Sequence, residues 1–216
     1  GMIKMRLKID KNVPLIAMMK QIHFSEAEKE AIKVYQSPGN NGKSGEINDV
    51  LYNNGYNSCS PIIKKYIDDL TNACDKGFLS HDIDVLRGEM WDYYGIGIRQ
   101  KGLETDQGFE GKIFHKAGFI STSLTKPFSR PFIYKITVPK GTHAIYLRDI
   151  ADNTLSGAFE DELLIQRGYS LKIDKIERDE DGYPIVHSHL IINLKAGDDM
   201  LNNKKAAPVR ELAYLI

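Results

Sequence analysis

Three observations predict an α+β domain with helices first and strands after. The first third of the chain carries apolar residues at three- and four-residue spacing. From Asp82 onward the apolar residues fall in short β-branched or aromatic runs bounded by Gly, Pro or Asp. Finally, 216 residues that are 42% hydrophobic and 27% charged are enough for one well-filled core. Helices and strands kept apart in sequence exclude a wound parallel sheet, in which they would alternate. The chain is read as a single domain over 1–216, with a helical part at about 15–78, a β-rich core at about 82–195 and a C-terminal extension at 196–216.

Taken in order, Ser25 to Tyr35 places Ala27, Ala31, Ile32 and Tyr35 at helical spacing behind a Ser25…Glu28 capping box. Ser37 to Gly45 reads as a loop. Glu46 to Asn53 and Pro61 to Cys74 repeat the helical spacing, with Pro61 suited to a helix start and Gly77 to its end. Strands are expected at Ile83–Leu86, Phe132–Val138, His143–Leu147, Leu163–Ile165 and Val186–Leu194. Lys195 to Lys205 is polar enough to be a connection to the last residues.

Charge narrows the function classes. Lysine plus arginine and aspartate plus glutamate are 29 each, so no global positive field favours nucleic acid or an anionic membrane, and any bound anion needs a local site. The apolar stretch Val13 to Met19 is broken by Pro14 and followed by Lys20, too short to span a bilayer and without a cleavage pattern. The expectation is a cytoplasmic protein, or one delivered to a host cell without a recognisable signal peptide, and a monomer. Cys59 and Cys74 lack zinc-knuckle spacing and read as free thiols.

Three separated stretches carry the chemistry: Leu86-Arg87-Gly88-Glu89, Gly118-Phe119-Ile120-Ser121-Thr122-Ser123 and Phe159-Glu160-Asp161-Glu162-Leu163-Leu164. Glu160 and Glu162 stand two apart where a strand begins, so alternation aims both carboxylates at one face. Leu163-Leu164-Ile165 beyond them can be buried on both sides. Ser121 and Ser123 likewise share a face and can donate hydrogen bonds to a carboxylate and a ribose. Arg87 at a strand end offers a fork for a diphosphate, and Gly88 permits close backbone approach. Singly, each stretch is an ordinary strand end, edge or turn.

Together, in this order, they resemble the Arg, Ser-Thr-Ser and Glu-x-Glu elements of the mono-ADP-ribosyltransferase exoenzymes, a family that includes clostridial Rho-modifying exoenzymes and the actin-modifying parts of binary toxins. The flanks are similar too: Tyr93 and Gly95 after the arginine, Phe128-Ser129-Arg130-Pro131 after the serines, Val138-Pro139-Lys140-Gly141-Thr142, and Gln166-Arg167-Gly168 after the Glu pair. The likeness covers about Ser25 to Leu194.

The resemblance implies a mixed two-sheet core, V-shaped, with NAD in the cleft and N-terminal helices packed on one side, and it implies no metal. It makes Glu162 the catalytic carboxylate on the nicotinamide ribose, held by Ser121, with Arg87 on the diphosphate and Gly88 on the nicotinamide amide. It places Thr122, Ser123, Phe128, Arg130, Asn48 and Tyr93 among the NAD-binding residues. Glu160 addresses the acceptor: arginine-modifying members carry Glu there, and a carboxylate can grip a guanidinium and take its proton. The expected function is therefore transfer of ADP-ribose to an arginine of a target protein. One departure stands out, because Tyr52 occupies the arginine position of the family's Asn-x-x-x-Arg helix, here beginning at Asn48.

Two further signals fall short of a site. Gly39-Asn40-Asn41-Gly42-Lys43-Ser44 lacks the first glycine and the leading strand of a phosphate loop. His187-Ser188-His189 places two imidazoles on one face with no third ligand evident. The residues leave two alternatives open, an NAD glycohydrolase in which water replaces the acceptor, and a non-catalytic NAD-binding module of a phage or toxin assembly.

Overall fold

The computed structural model describes residues 12–37, 42–95, 97–102, 108–125, 131–147 and 161–193. Among the described residues four helices come first, α1 (Val13–Met19), α2 (Glu26–Gln36), α3 (Ser44–Tyr52) and α4 (Pro61–Lys76). At the start of α2 the Ser25 hydroxyl accepts from Glu28 N–H at 3.1 Å and the Glu28 carboxylate accepts from Ser25 N–H at 2.7 Å, the reciprocal box the sequence predicts. Helix α4 has Ser60 at its N-cap, Pro61 in its first turn and Gly77 at its end. Gly77 is required by space: a Cβ there would lie 2.0 Å from the Ala144 carbonyl oxygen. Helix α3 starts two residues earlier than the sequence suggests, at Ser44.

Among the described residues eight strands follow, β1 (Ile83–Glu89), β2 (Ile113–Lys116), β3 (Ile120–Ser123), β4 (Phe132–Val138), β5 (Ala144–Tyr146), β6 (Glu162–Ile165), β7 (Tyr169–Arg178) and β8 (Pro184–Ile191). Their order across the sheet is β2-β7-β8-β4-β1-β3-β6-β5. Pairing is antiparallel except between β4 and β8, which makes the sheet mixed. Strand β1 pairs with β4 along its whole length but with β3 only at Leu86–Ser123. The expected pair of sheets thus takes the form of a five-stranded and a three-stranded block joined at a narrow seam. Strands β2 and β7 were not expected from the sequence.

Strand β6 is covered on both faces, with Leu163, Leu164 and Ile165 fully buried. Leu164 packs toward Ile32, Ile67 and Leu70 of the helices, together with Phe119 and Ile145. Leu163 and Ile165 join the second core with Val85, Tyr134 and Ile136. A strand gripped by two cores holds its first residue, Glu162, on a rigid base. Among the described residues, no helix is long and apolar enough to cross a membrane.

Candidate active site

The three candidate stretches meet because their strands are neighbours: β1 carries Arg87, β3 carries Ser121 and β6 carries Glu162, in the order β1-β3-β6. Ser123 pairs with Glu162 in the ladder and Ser121 with Leu164. Two residues along from its ladder partner, Glu162 is reached diagonally by the Ser121 side chain, the spacing at which cross-strand side chains meet. The Ser121 hydroxyl donates to Glu162 Oε2 at 2.5 Å.

All three line one cleft of about 610 Å³, with Gly88, Thr122 and Ser123 on the same wall. That volume lies within the roughly 300–1,000 Å³ of small-molecule sites. The opposite wall comes from the helical layer, through Tyr35 and Gln36 of α2 and Ser44 and Asn48 of α3. Gln36 Nε2 donates to Glu162 Oε1 at 2.5 Å. Burial raises the Glu162 carboxyl above its ordinary 4.5, against the hydrogen bonds from Ser121 and Gln36 and the positive charge of Arg87. A carboxylate so placed is held at the cleft wall by two neutral donors, one on each oxygen.

Arg87 closes the seam between the blocks. Its Nη1 donates to the Ser121 carbonyl at 2.7 Å, its Nη2 pairs with Glu89 Oε1, and its guanidinium lies 3.9 Å from the centroid of the Tyr93 ring. Lys116, only 7% exposed, approaches the same ring at 3.8 Å and the Tyr52 ring at 4.7 Å. Its Nζ donates to the Tyr93 carbonyl at 3.2 Å. Burial pushes the Tyr93 hydroxyl up, but Arg87, Lys116 and the hydrogen bond from Tyr52 outweigh it and hold the group low. Two cations on one tyrosine form a positive centre directly behind the cleft.

The sequence-predicted residues fall into three groups. Arg87, Gly88, Ser121, Ser123 and Glu162 stand on the cleft wall, as does Thr122, whose hydroxyl is committed to the Leu163 carbonyl at 2.7 Å. Asn48 is on the wall with both ends of its amide in use, donating to the Tyr35 hydroxyl at 3.0 Å and accepting from Phe119 N–H at 2.9 Å. Tyr93 sits behind Arg87, not among the lining residues. Glu160, Phe128 and Arg130 lie outside the described residues. The sequence does not single out Gln36 or the exposed Met90 and Trp91 at the cleft wall, nor Lys116 behind it, and it offers Glu89 only as part of the arginine stretch, with no role of its own. Glu89, inside the arginine stretch, and Trp91, the single tryptophan two residues beyond it, are the ones with a signal in the sequence.

The histidines do not build a second centre. His187 faces Glu177 at 2.9 Å and His189 faces Asp174 at 2.7 Å. Among the described residues, no group of three or more His, Cys, Asp or Glu side chains could hold a metal.

Comparison with known proteins bears on the whole arrangement. The model of the ADP-ribosyltransferase exoenzyme family matches residues 6–196. No curated protein matches the chain. The C3 exoenzyme of Clostridium limosum superposes with a TM-score of 0.69 at 24% identity, over 88% of this chain and 98% of its own. C3larvin toxin, an ADP-ribosyltransferase from Paenibacillus larvae, gives 0.62 at 26% identity, over 81% and 98%. The C3stau2 protein of S. aureus, solved with NAD, gives 0.69 at 20% identity, over 88% and 99%.

Proposed function

The chain belongs to the ADP-ribosyltransferase exoenzyme family, and on that premise we propose that it transfers ADP-ribose from NAD to an arginine side chain of a target protein. The bond between nicotinamide nitrogen and ribose C1′ breaks, and its electron pair leaves with nicotinamide. Positive charge then builds on the ribose C1′ and ring oxygen. Glu162 stabilises that charge, as a carboxylate does in glycoside cleavage. Arg87 anchors the diphosphate, and the backbone at Gly88 meets the nicotinamide amide. A guanidinium nitrogen of the target attacks C1′ and loses its proton to Glu160.

The observation that carries this reading is the Ser121–Glu162 hydrogen bond of 2.5 Å beside Arg87 in one cleft. The acceptor assignment rests on the sequence alone, through the Glu at position 160. Incubating a cell lysate with labelled NAD and locating the labelled residue by mass spectrometry tests it. Arginine is the expected site, and Glu160→Gln is expected to keep nicotinamide release while losing protein labelling. Labelling at another residue type would remove arginine as the acceptor. Nicotinamide release with no labelled protein at all would favour a glycohydrolase.

A further inference from the structure

Glu162 has two carboxylate oxygens, and each receives one neutral donor from a different layer of the fold. Ser121 on β3 takes Oε2, and Gln36, the last residue of α2 and 126 positions away in sequence, takes Oε1. The contact from β3 fixes one edge of the carboxylate. Rotation about the final bond of a glutamate side chain is soft, so only a donor on the other oxygen sets the plane that faces the cleft. An amide suits this task better than a cation would. It orients the group without neutralising the charge that the ribose cation needs.

The fold accepts a cost to keep Gln36 there. Among the described residues, Gln36 Oε1 is buried with no hydrogen-bond partner, a condition that native structures mostly avoid. An ionised carboxylate only accepts, so the NH₂ end must face Glu162 and the carbonyl end is the one left unpaired. The groups around Glu162 are Arg87 from β1, Tyr35 and Gln36 from α2, and Ser121 from β3. Gln36 is thus the helical layer's only direct hydrogen bond to the carboxylate among the described residues.

We propose that Gln36 is a positioning residue for Glu162: its amide, delivered by the end of α2, sets the rotation of the carboxylate and favours its charged form. This rests on the reading of Glu162 given above.

Nicotinamide release from NAD, measured across pH for wild type, Gln36→Leu and Gln36→Glu, tests it. Gln36→Leu is expected to lower kcat near neutral pH by about tenfold, to leave KM for NAD nearly unchanged, and to move the acid limb to higher pH. Part of the lost rate then returns as pH rises. Gln36→Glu, which sets a second carboxylate against Oε1, is expected to move the limb further. Wild-type kcat and acid limb in Gln36→Leu would overturn the proposal, as would loss by one constant factor at every pH. Should Gln36→Leu fail to fold, Gln36→Glu decides by the same readout, and an unmoved limb overturns the proposal. A wild-type protein that releases no nicotinamide would defeat the functional reading and this inference with it, an outcome the wild-type control makes distinct.

Discussion

Glu162 sits where chemistry and stability pull in opposite directions. Its folded carboxyl is raised, chiefly by burial, against hydrogen bonds from Ser121 and Gln36 and the charge of Arg87. A group raised in the folded state lends stability that is complete below its unfolded value and is lost as pH climbs through the folded one. At neutral pH the ionised side chain is therefore a net cost to the fold. Glu162→Gln removes that cost and can keep both contacts, since Ser121 still donates to the new carbonyl and Gln36 can turn its own oxygen toward the new NH₂. The variant is expected to melt higher than wild type at neutral pH in a calorimetric scan. Its kcat for nicotinamide release should fall about 10²–10³-fold with little change in KM, the size of effect seen when a charge-stabilising group is lost from an active site. A lower melting temperature, or an unchanged kcat, would contradict this account. With the carboxyl raised, the acid limb of wild-type kcat/KM for nicotinamide release is expected above the ordinary 4.5 of a glutamate, and a pH profile of that constant checks it.

At the scale of elements, the close passage of α4 over β5 fixes where the helical layer stands. Gly77 ends α4 with its N–H donated to the Cys74 carbonyl, and its own carbonyl accepts from His143 Nδ1 at 2.9 Å. A Cβ at Gly77 would meet backbone, 2.0 Å from Ala144 O, and backbone cannot give way as the end of a side chain can. Gly77→Ala is expected to destabilise the protein by about 1–3 kcal/mol, read as a lower denaturation midpoint in urea. An unchanged midpoint would mean that α4 can lift off β5 freely. The same scale explains what was legible in the sequence. Helices α2 and α4 announced themselves because their caps are local, and β1, β4 and β6 because their runs are apolar and short. Strand β7 was hidden by interleaved charge and by the irregularity between Ile173 and Lys175, which breaks the alternation. Strand β2 was hidden because Lys116 reads as a surface residue, yet two tyrosine rings take its ammonium inside. Arg87, Ser121 and Glu162 were legible as motif residues on strands. Gln36 was not, because its partner lies in another layer and nothing near it in sequence records the contact.

Over the whole molecule the formal charge is zero, so the anion of a dinucleotide has to be drawn by local cations, and the structure gathers two of them at one ring. Arg87 faces the cleft with Glu89 as its counter-ion, while Lys116 stands behind Tyr93 and forms no ion pair among the described residues. The two substitutions should therefore behave differently. Arg87→Ala leaves Glu89 buried without its partner and is expected to lower the melting temperature outright. Lys116→Met orphans no carboxylate and is expected to hold it. Ligand binding then separates stability from affinity, because a ligand at 100 times its Kd stabilises by about 2.7 kcal/mol, which for a domain of this size corresponds to a shift of roughly 5–10 °C. Measured with NAD on the Glu162→Gln background, where turnover is suppressed, that shift should appear in full. It should vanish when Arg87→Ala is added and shrink when Lys116→Met is added. If Arg87→Ala kept the whole shift, the diphosphate would be held somewhere other than the seam between the two blocks, and the positive centre around Tyr93 would belong to the architecture rather than to the substrate.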